Sequence, residues 1–97
     1  MKNSILQCFS LDYRFKIIKY ISDKKEVTVN DIVCEVESLG IQQSIVSQTL
    51  KLFRNNGLVD FRCHRQTHIY FIKNKHVTEL LEIIEKLMKE SKENGIA

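Results

Sequence analysis

Two short apolar stripes at helical spacing lie on either side of a single glycine, and that arrangement restricts the fold more than any other feature of the chain. Val29, Ile32, Val33 and Val36 recur at i, i+3, i+4 and i+7, the period of one helix face. Val46, Leu50 and Phe53 repeat the pattern further on. Between them Leu39-Gly40-Ile41 supplies the turn, with Gly40 free to take the positive φ that stops a helix. Thr28 and Asp31 form a T-x-x-D capping signature at the start of the first stripe. Two helices joined by so short a turn must pack at an angle, each burying one face and showing the other.

The rest of the chain reads around this pair. Asn3–Phe9 is expected as a short helix with Ile5, Leu6 and Phe9 on one side. Ser10 is expected to cap a second helix over Leu11–Ser22, in which Leu11, Phe15, Ile17, Ile18 and Ile21 are the apolar positions. Asp23–Glu26 reads as a charged turn. The fourth helix runs from Gln43 through Asn55 and ends before Gly57, with Leu58 as the hydrophobic contact beyond. Leu58–Ile72 is rich in aromatic and β-branched residues, interrupted around His64–Thr67, and predicts a two-stranded hairpin. A last helix spans Asn74 to about Ser91, and residues 92–97 read as a tail. The order is four helices, hairpin, helix: a mainly α single domain over residues 1–97 with a small β element.

Composition excludes several classes. Ninety-seven residues with 43% hydrophobic and 28% charged side chains describe one ordinary globular domain. No apolar run approaches the ~20 residues of a membrane span, and Met1–Ser10 lacks the features of a secretory signal, so a cytoplasmic location is expected. Cys8, Cys34 and Cys63 are widely spaced and odd in number, which argues for free thiols. No Ser/His/acid or Cys/His constellation, phosphate loop or paired carboxylates suggests an enzyme, and no cofactor is expected.

What the fourth helix shows outward points to nucleic acid. Its outer set is Gln43, Ser44, Ser47, Gln48 and Lys51, without an acid, although the chain contains 12 Asp and Glu residues. Glutamine can bridge the N6 and N7 of adenine, serine can bond phosphate or base edges, and lysine neutralises phosphate. Arg62, His64, Arg65, Gln66 and His68 then make the hairpin basic, where a wing would lie along a phosphate backbone. The last helix carries more apolar residues than a small domain can cover. Leu80, Leu81, Ile84, Leu87 and Met88 are expected to form a dimer seam with Ile5, Leu6 and Phe9.

The run Leu39-Gly40-Ile41-Gln42-Gln43-Ser44-Ile45-Val46-Ser47-Gln48-Thr49-Leu50-Lys51, followed by Asn56-Gly57-Leu58-Val59, resembles the ArsR-type repressors. Their pattern is L-x-L-S-Q-S-x-V-S-x-H-L-K and then A-G-L-V. The resemblance extends from about Leu11 to Met88. It implies a winged helix-turn-helix domain, about five helices plus a two-stranded wing. It also implies a two-fold dimer built from the first and last helices (1–10 and 74–91), and repression of an operator relieved by a signal. By the same resemblance Gln43, Ser44, Ser47 and Gln48 contact the operator, with Arg62 and Arg65 on phosphate or in the minor groove. Gln42, Thr49, Lys51 and Gln66 complete the expected DNA surface. Gln42, Gln48 and Thr49 depart from the pattern, standing where it has a capping serine, a frequent basic residue and a histidine. The third helix also reads as about two residues longer, around Glu37-Ser38.

The ligands of the family's metal sensors are largely missing. Where relatives carry C-x-C, this chain reads Val27-Thr28-Val29-Asn30; on the last helix D-x-H becomes Asn74-Lys75-His76, and H-x-x-E becomes Leu87-Met88-Lys89-Glu90. Only His76 and Glu90 remain, too few for a tight zinc centre. Cys63 and His68 would face one another if the hairpin turned at Arg65-Gln66, and they read as two strand residues. The thiol pair of persulfide sensors needs cysteines in the second and last helices, which have none. The expected partners are double-stranded DNA and a second copy of the chain, with any effector open. A winged helix used for protein contact, as an adaptor or anti-repressor, is the alternative.

Overall fold

A capping box sets the start of the helix-turn-helix. In the computed structural model, which describes residues 4–93, the Asp31 amide donates to Thr28 Oγ1 at 3.2 Å and the Thr28 amide donates to Asp31 Oδ2 at 3.0 Å. Two amides that the helix itself cannot satisfy thereby find acceptors. Among the described residues the chain order is α1 (Ser4–Cys8), α2 (Asp12–Lys24), β1 (Val27–Thr28), α3 (Val29–Val36), α4 (Gln43–Asn55), β2 (Val59–His64), β3 (Thr67–Ile72) and α5 (Lys75–Glu93). Asn3 and residues 94–97, parts of the expected first helix and tail, lie outside the described residues. Helix α5 continues through Glu93, past its expected end at about Ser91.

Three local expectations are corrected. Ser10 does not cap α2: its hydroxyl donates back to the Gln7 carbonyl at 2.8 Å, and Leu11 occupies the cap position without a side-chain bond. Helix α2 continues past Ser22 to Lys24, helped by the i,i+4 pair of Lys19 with Asp23 at 2.8 Å. The reversal falls on Lys25, at φ 76°, whose amide donates to the Ile21 carbonyl. The extra residues after α3 are absorbed by a tight 3-10 turn over Glu37–Leu39 rather than by a longer α-helix, and Gly40 at φ 74° ends it.

The β element has three strands, in the order β1-β3-β2, where two were expected. Val27 and Thr28 pair antiparallel with Tyr70 and Ile69. So short a strand cannot show alternation, and its apolar Val27 reads equally well as the entrance to α3. Pairing with β3 covers the edge of the hairpin and fixes the hairpin against the helix-turn-helix. In the β2–β3 ladder Val59 faces Ile72, Phe61 faces Tyr70 and Cys63 faces His68.

One core joins all layers. Ile17, Ile18 and Ile21 of α2, Ile32 and Val36 of α3, and Val46, Leu50 and Phe53 of α4 are buried together with Val59, Tyr70, Val77 and Leu81. Helix α4 ends in a Schellman arrangement: Leu58 N–H donates to the Phe53 carbonyl at 3.0 Å and Gly57 N–H to the Arg54 carbonyl at 2.9 Å, with Gly57 at φ 74°. Phe53 and Leu58 are both in the core, which ties the end of α4 to the start of β2. No helix among the described residues is long and apolar enough to cross a membrane.

Thr28→Ala removes one half of the capping box from a half-buried site. It is expected to lower unfolding free energy by about 1 kcal/mol in urea denaturation without changing the slope of the transition.

Candidate nucleic-acid interface

The inward face of α4 determines what its outward face can show. With Val46, Thr49, Leu50 and Phe53 buried, the 3.6-residue period turns Gln43, Ser44, Ser47, Gln48 and Lys51 to the surface. These five form one stripe, and the helix contains no acidic residue. Gln42 stands at the cap position, exposed, and makes no side-chain bond to the helix. The amides of Gln43 and Ser44 thus lack an acceptor among the described residues. The positive end of the helix dipole is left free to meet an anion.

Thr49 departs from expectation. It is only 3% exposed, and its hydroxyl donates to the Ile45 carbonyl at 2.8 Å. Its place one turn after Ile45 and three residues after Val46 puts it on the core side, so it supports the helix from behind and is not part of the exposed stripe.

The hairpin splits the expected wing residues between its two faces. Alternation along β2 and β3 places Phe61, Cys63, His68 and Tyr70 on the face shared with buried Val59. Arg62 lies on the opposite face, where Nη2 and Nε donate to Glu26 Oε2 at 2.9 and 3.3 Å. Glu26, just before β1, neutralises part of that charge. Arg65 and Gln66 form the exposed tip, at φ 49° and 70°. Both φ values are positive, as a two-residue hairpin turn of the I′ type requires.

A stacked column links helix to wing, and sequence reasoning did not find it. The Arg54 guanidinium lies over the Phe61 ring at 4.3 Å, Phe61 stacks on His68 with centroids 4.2 Å apart, and Tyr70 lies 5.3 Å from Phe61. Arg54 Nε is also 3.8 Å from Asp60 Oδ1. Burial pushes the Tyr70 phenol above its ordinary pKa, opposed by nearby Arg54. The i to i+7 separation of Arg54 and Phe61 spans a helix end and a strand start, so no single periodicity could have paired them.

Cys63 and His68 do face one another across the ladder, both exposed. His68 is engaged by Phe61, and His76 Nδ1 lies 3.1 Å from Glu79 Oε2. Among the described residues no three His, Cys, Asp or Glu side chains converge as a metal site would require. The expected dimer residues are only partly available. Leu6 (69% exposed), Leu87 (60%), Met88, Ile5 and Leu80 are open, while Phe9 and Ile84 are half-buried. Leu81 is 3% exposed and belongs to its own subunit's core, and exposed Ile83, absent from the expected set, joins Leu80 and Leu87 on one stripe.

A short-turn helix pair, an acid-free outer helix and a hairpin packed beside it define a winged helix-turn-helix protein. Residues 12–60 match the model of the bacterial regulatory proteins of the arsR family. The chain belongs to that family: it is a DNA-binding transcriptional regulator and not an enzyme. Similar solved structures include HlyU from Vibrio cholerae, 27% identical over 87% of both chains with a TM-score of 0.72. The transcriptional repressor PagR of Bacillus anthracis is 24% identical, covering 81% of this chain and 86% of its own, with a TM-score of 0.68. Rv0081 of M. tuberculosis shares the fold at a TM-score of 0.79 and 22% identity, over 95% of this chain and 89% of its own. Among curated proteins no match was found.

Arginine and glutamine are poor choices for two successive positive-φ positions, where Asn-Gly is favoured. Replacing both, as Arg65→Asn with Gln66→Gly, is expected to raise stability by about 1 kcal/mol in urea unfolding. The same protein is expected to bind duplex DNA more weakly in a fluorescence titration. A variant with unchanged DNA affinity would show that the tip does not reach the duplex.

Proposed function

We propose that the chain is a repressor that binds an imperfect palindromic operator as a homodimer. In this reading Gln43, Ser44, Ser47 and Gln48 enter the major groove, Gln42 and Lys51 meet phosphate, and Arg65 and Gln66 at the wing tip follow the backbone. Arg62 and Thr49 have supporting roles, the first through Glu26 and the second behind the helix. The observation that carries the reading is the exposed, acid-free face of α4 together with the exposed, basic tip of the hairpin packed against that helix. The Arg54–Phe61–His68 column supports it by fixing the angle between helix and wing.

The exposed apolar side chains of α1 and α5 support the dimer: Ile5, Leu6, Leu80, Ile83, Leu87 and Met88 would otherwise stay in water. A two-fold pairing there sets two recognition helices one DNA turn apart, ~34–36 Å, and makes a near-palindrome the matching operator. Repression follows from occupancy of such a site, and PagR, of the same fold, is a repressor.

Selection of bound fragments from genomic DNA tests the whole reading. An enriched imperfect palindrome with half-sites one turn apart is the expected result, and recovery of no common sequence argues for the protein-contact alternative. Lys51→Ala with Arg65→Ala is expected to weaken binding to every duplex. The slope of log affinity against log salt should fall by roughly 1.8, about 0.9 for each phosphate no longer neutralised. Leu87→Lys, at an exposed site, is expected to give a folded monomer by sedimentation, with at least a tenfold loss of operator affinity.

A further inference from the structure

An open pocket of about 250 Å³ lies between the end of α2 and the start of α5, lined by Ser22, Lys25, Lys73, Lys75, Thr78 and the end of β3. None of its lysines has an ion-pair partner among the described residues, although acids stand close in sequence. Each of those acids is held elsewhere: Asp23 by Lys19 at 2.8 Å, Glu26 by Arg62 at 2.9 Å, and Glu79 by His76 at 3.1 Å. The first turn of α5 contains no acidic residue. Among the described residues no carboxylate therefore lies within ion-pair distance of the lysines around the pocket.

The pocket also holds a pair of hydroxyls, one of which can donate to a ligand. Ser22 is 8% exposed, and its Oγ lies 3.2 Å from Thr78 Oγ1. Two hydroxyls facing only one another use one proton between them, so the second O–H has nothing to donate to among the described residues. A group that accepts several hydrogen bonds and carries more than one negative charge satisfies the lysines and the hydroxyl together.

We propose that this pocket binds a small phosphate-type oxyanion, either free phosphate or the phosphate of a small metabolite, held by Lys25, Lys73, Lys75 and the Ser22–Thr78 hydroxyl pair. The site is separate from the DNA surface. Ile72 at its rim lies six residues along β3 from Gln66 at the wing tip, roughly 20 Å at ~3.3 Å per residue. It joins the end of α2 to the start of α5, so an anion there tightens the base from which α5 extends.

The full chain in chloride buffer, titrated with inorganic phosphate at constant ionic strength, provides the test, read by amide NMR shifts and thermal unfolding. Saturable shifts centred on Ser22, Lys25, Lys73 and Thr78, with a higher unfolding temperature, are expected. In the Lys25→Gln/Lys73→Gln/Lys75→Gln variant, altered only at exposed side chains, phosphate affinity should fall at least about tenfold. Thr78→Val keeps the side-chain shape and should weaken binding about fivefold. Shifts that do not saturate, that fall on α4 and the wing, or that persist undiminished in the lysine variant overturn the proposal. Duplex DNA gives the remaining arm. If it moves the same amides, and the lysine variant loses roughly 2.7 from its salt slope, the lysines serve the DNA backbone and the free-anion site is overturned. An unchanged slope supports it.

Discussion

The burial of Val46, Thr49, Leu50 and Phe53 is the constraint on which the rest of the structure depends. These residues fix the rotation of α4 about its own axis. Once that rotation is fixed, the side chains between them have no choice but to face outward. Phe53 and Leu50 together remove enough apolar surface to outweigh the propensity of the polar residues beside them, since each large side chain contributes ~1.5–3 kcal/mol on burial. The exposed stripe of Gln43, Ser44, Ser47 and Gln48, the proposed DNA surface, is therefore a consequence of core packing. Thr49 shows the same force acting on a polar residue, which is taken into the core with its hydroxyl satisfied by the Ile45 carbonyl.

The same phase propagates to the wing. Phe53 at the end of α4 and Leu58 at the start of β2 close a Schellman motif, so the strand leaves the helix in one direction only. Arg54, the next residue along, then lies over Phe61 and carries the orientation to His68. On the other side of the sheet β1 pairs with β3 and Glu26 holds Arg62. The hairpin is thus held from both faces, while its tip is left with the strained pair Arg65-Gln66. The residues at that tip favour the turn less than Asn-Gly would.

Helices and their caps were legible because they depend on local order. The stripes of α3 and α4, the Thr28–Asp31 box, the turns at Gly40 and Gly57 and the reversal at Arg65-Gln66 each rest on residues within a few positions of one another. The errors share a cause as well. Ser10 and Leu11 compete for one cap, and the helix-stabilising Lys19–Asp23 pair extends α2 through a stretch that reads as a turn. β1 is two residues long and acquires its identity from Tyr70 and Ile69, more than forty residues away. Leu81 and Ile83 both fit an amphipathic helix, and only the position of α2 and β3 beside α5 decides which one is buried.

By itself the sequence determined the helix-turn-helix, the basic hairpin after it and the absence of acids on α4, because periodicity, glycine and charge are local properties. Tertiary structure alone decided which basic residues remain free. Arg62 is taken by Glu26, Arg54 by Phe61 and Asp60, and Lys19 by Asp23 and Glu85, whereas Lys51 and Arg65 have no partner among the described residues. It also brought Ser22 of α2 against Thr78 of α5, 56 residues apart, and gathered the lysines around them. The physical reason is that a charge's availability depends on what packs within a few ångströms of it, and that neighbourhood is assembled only when distant segments share one core.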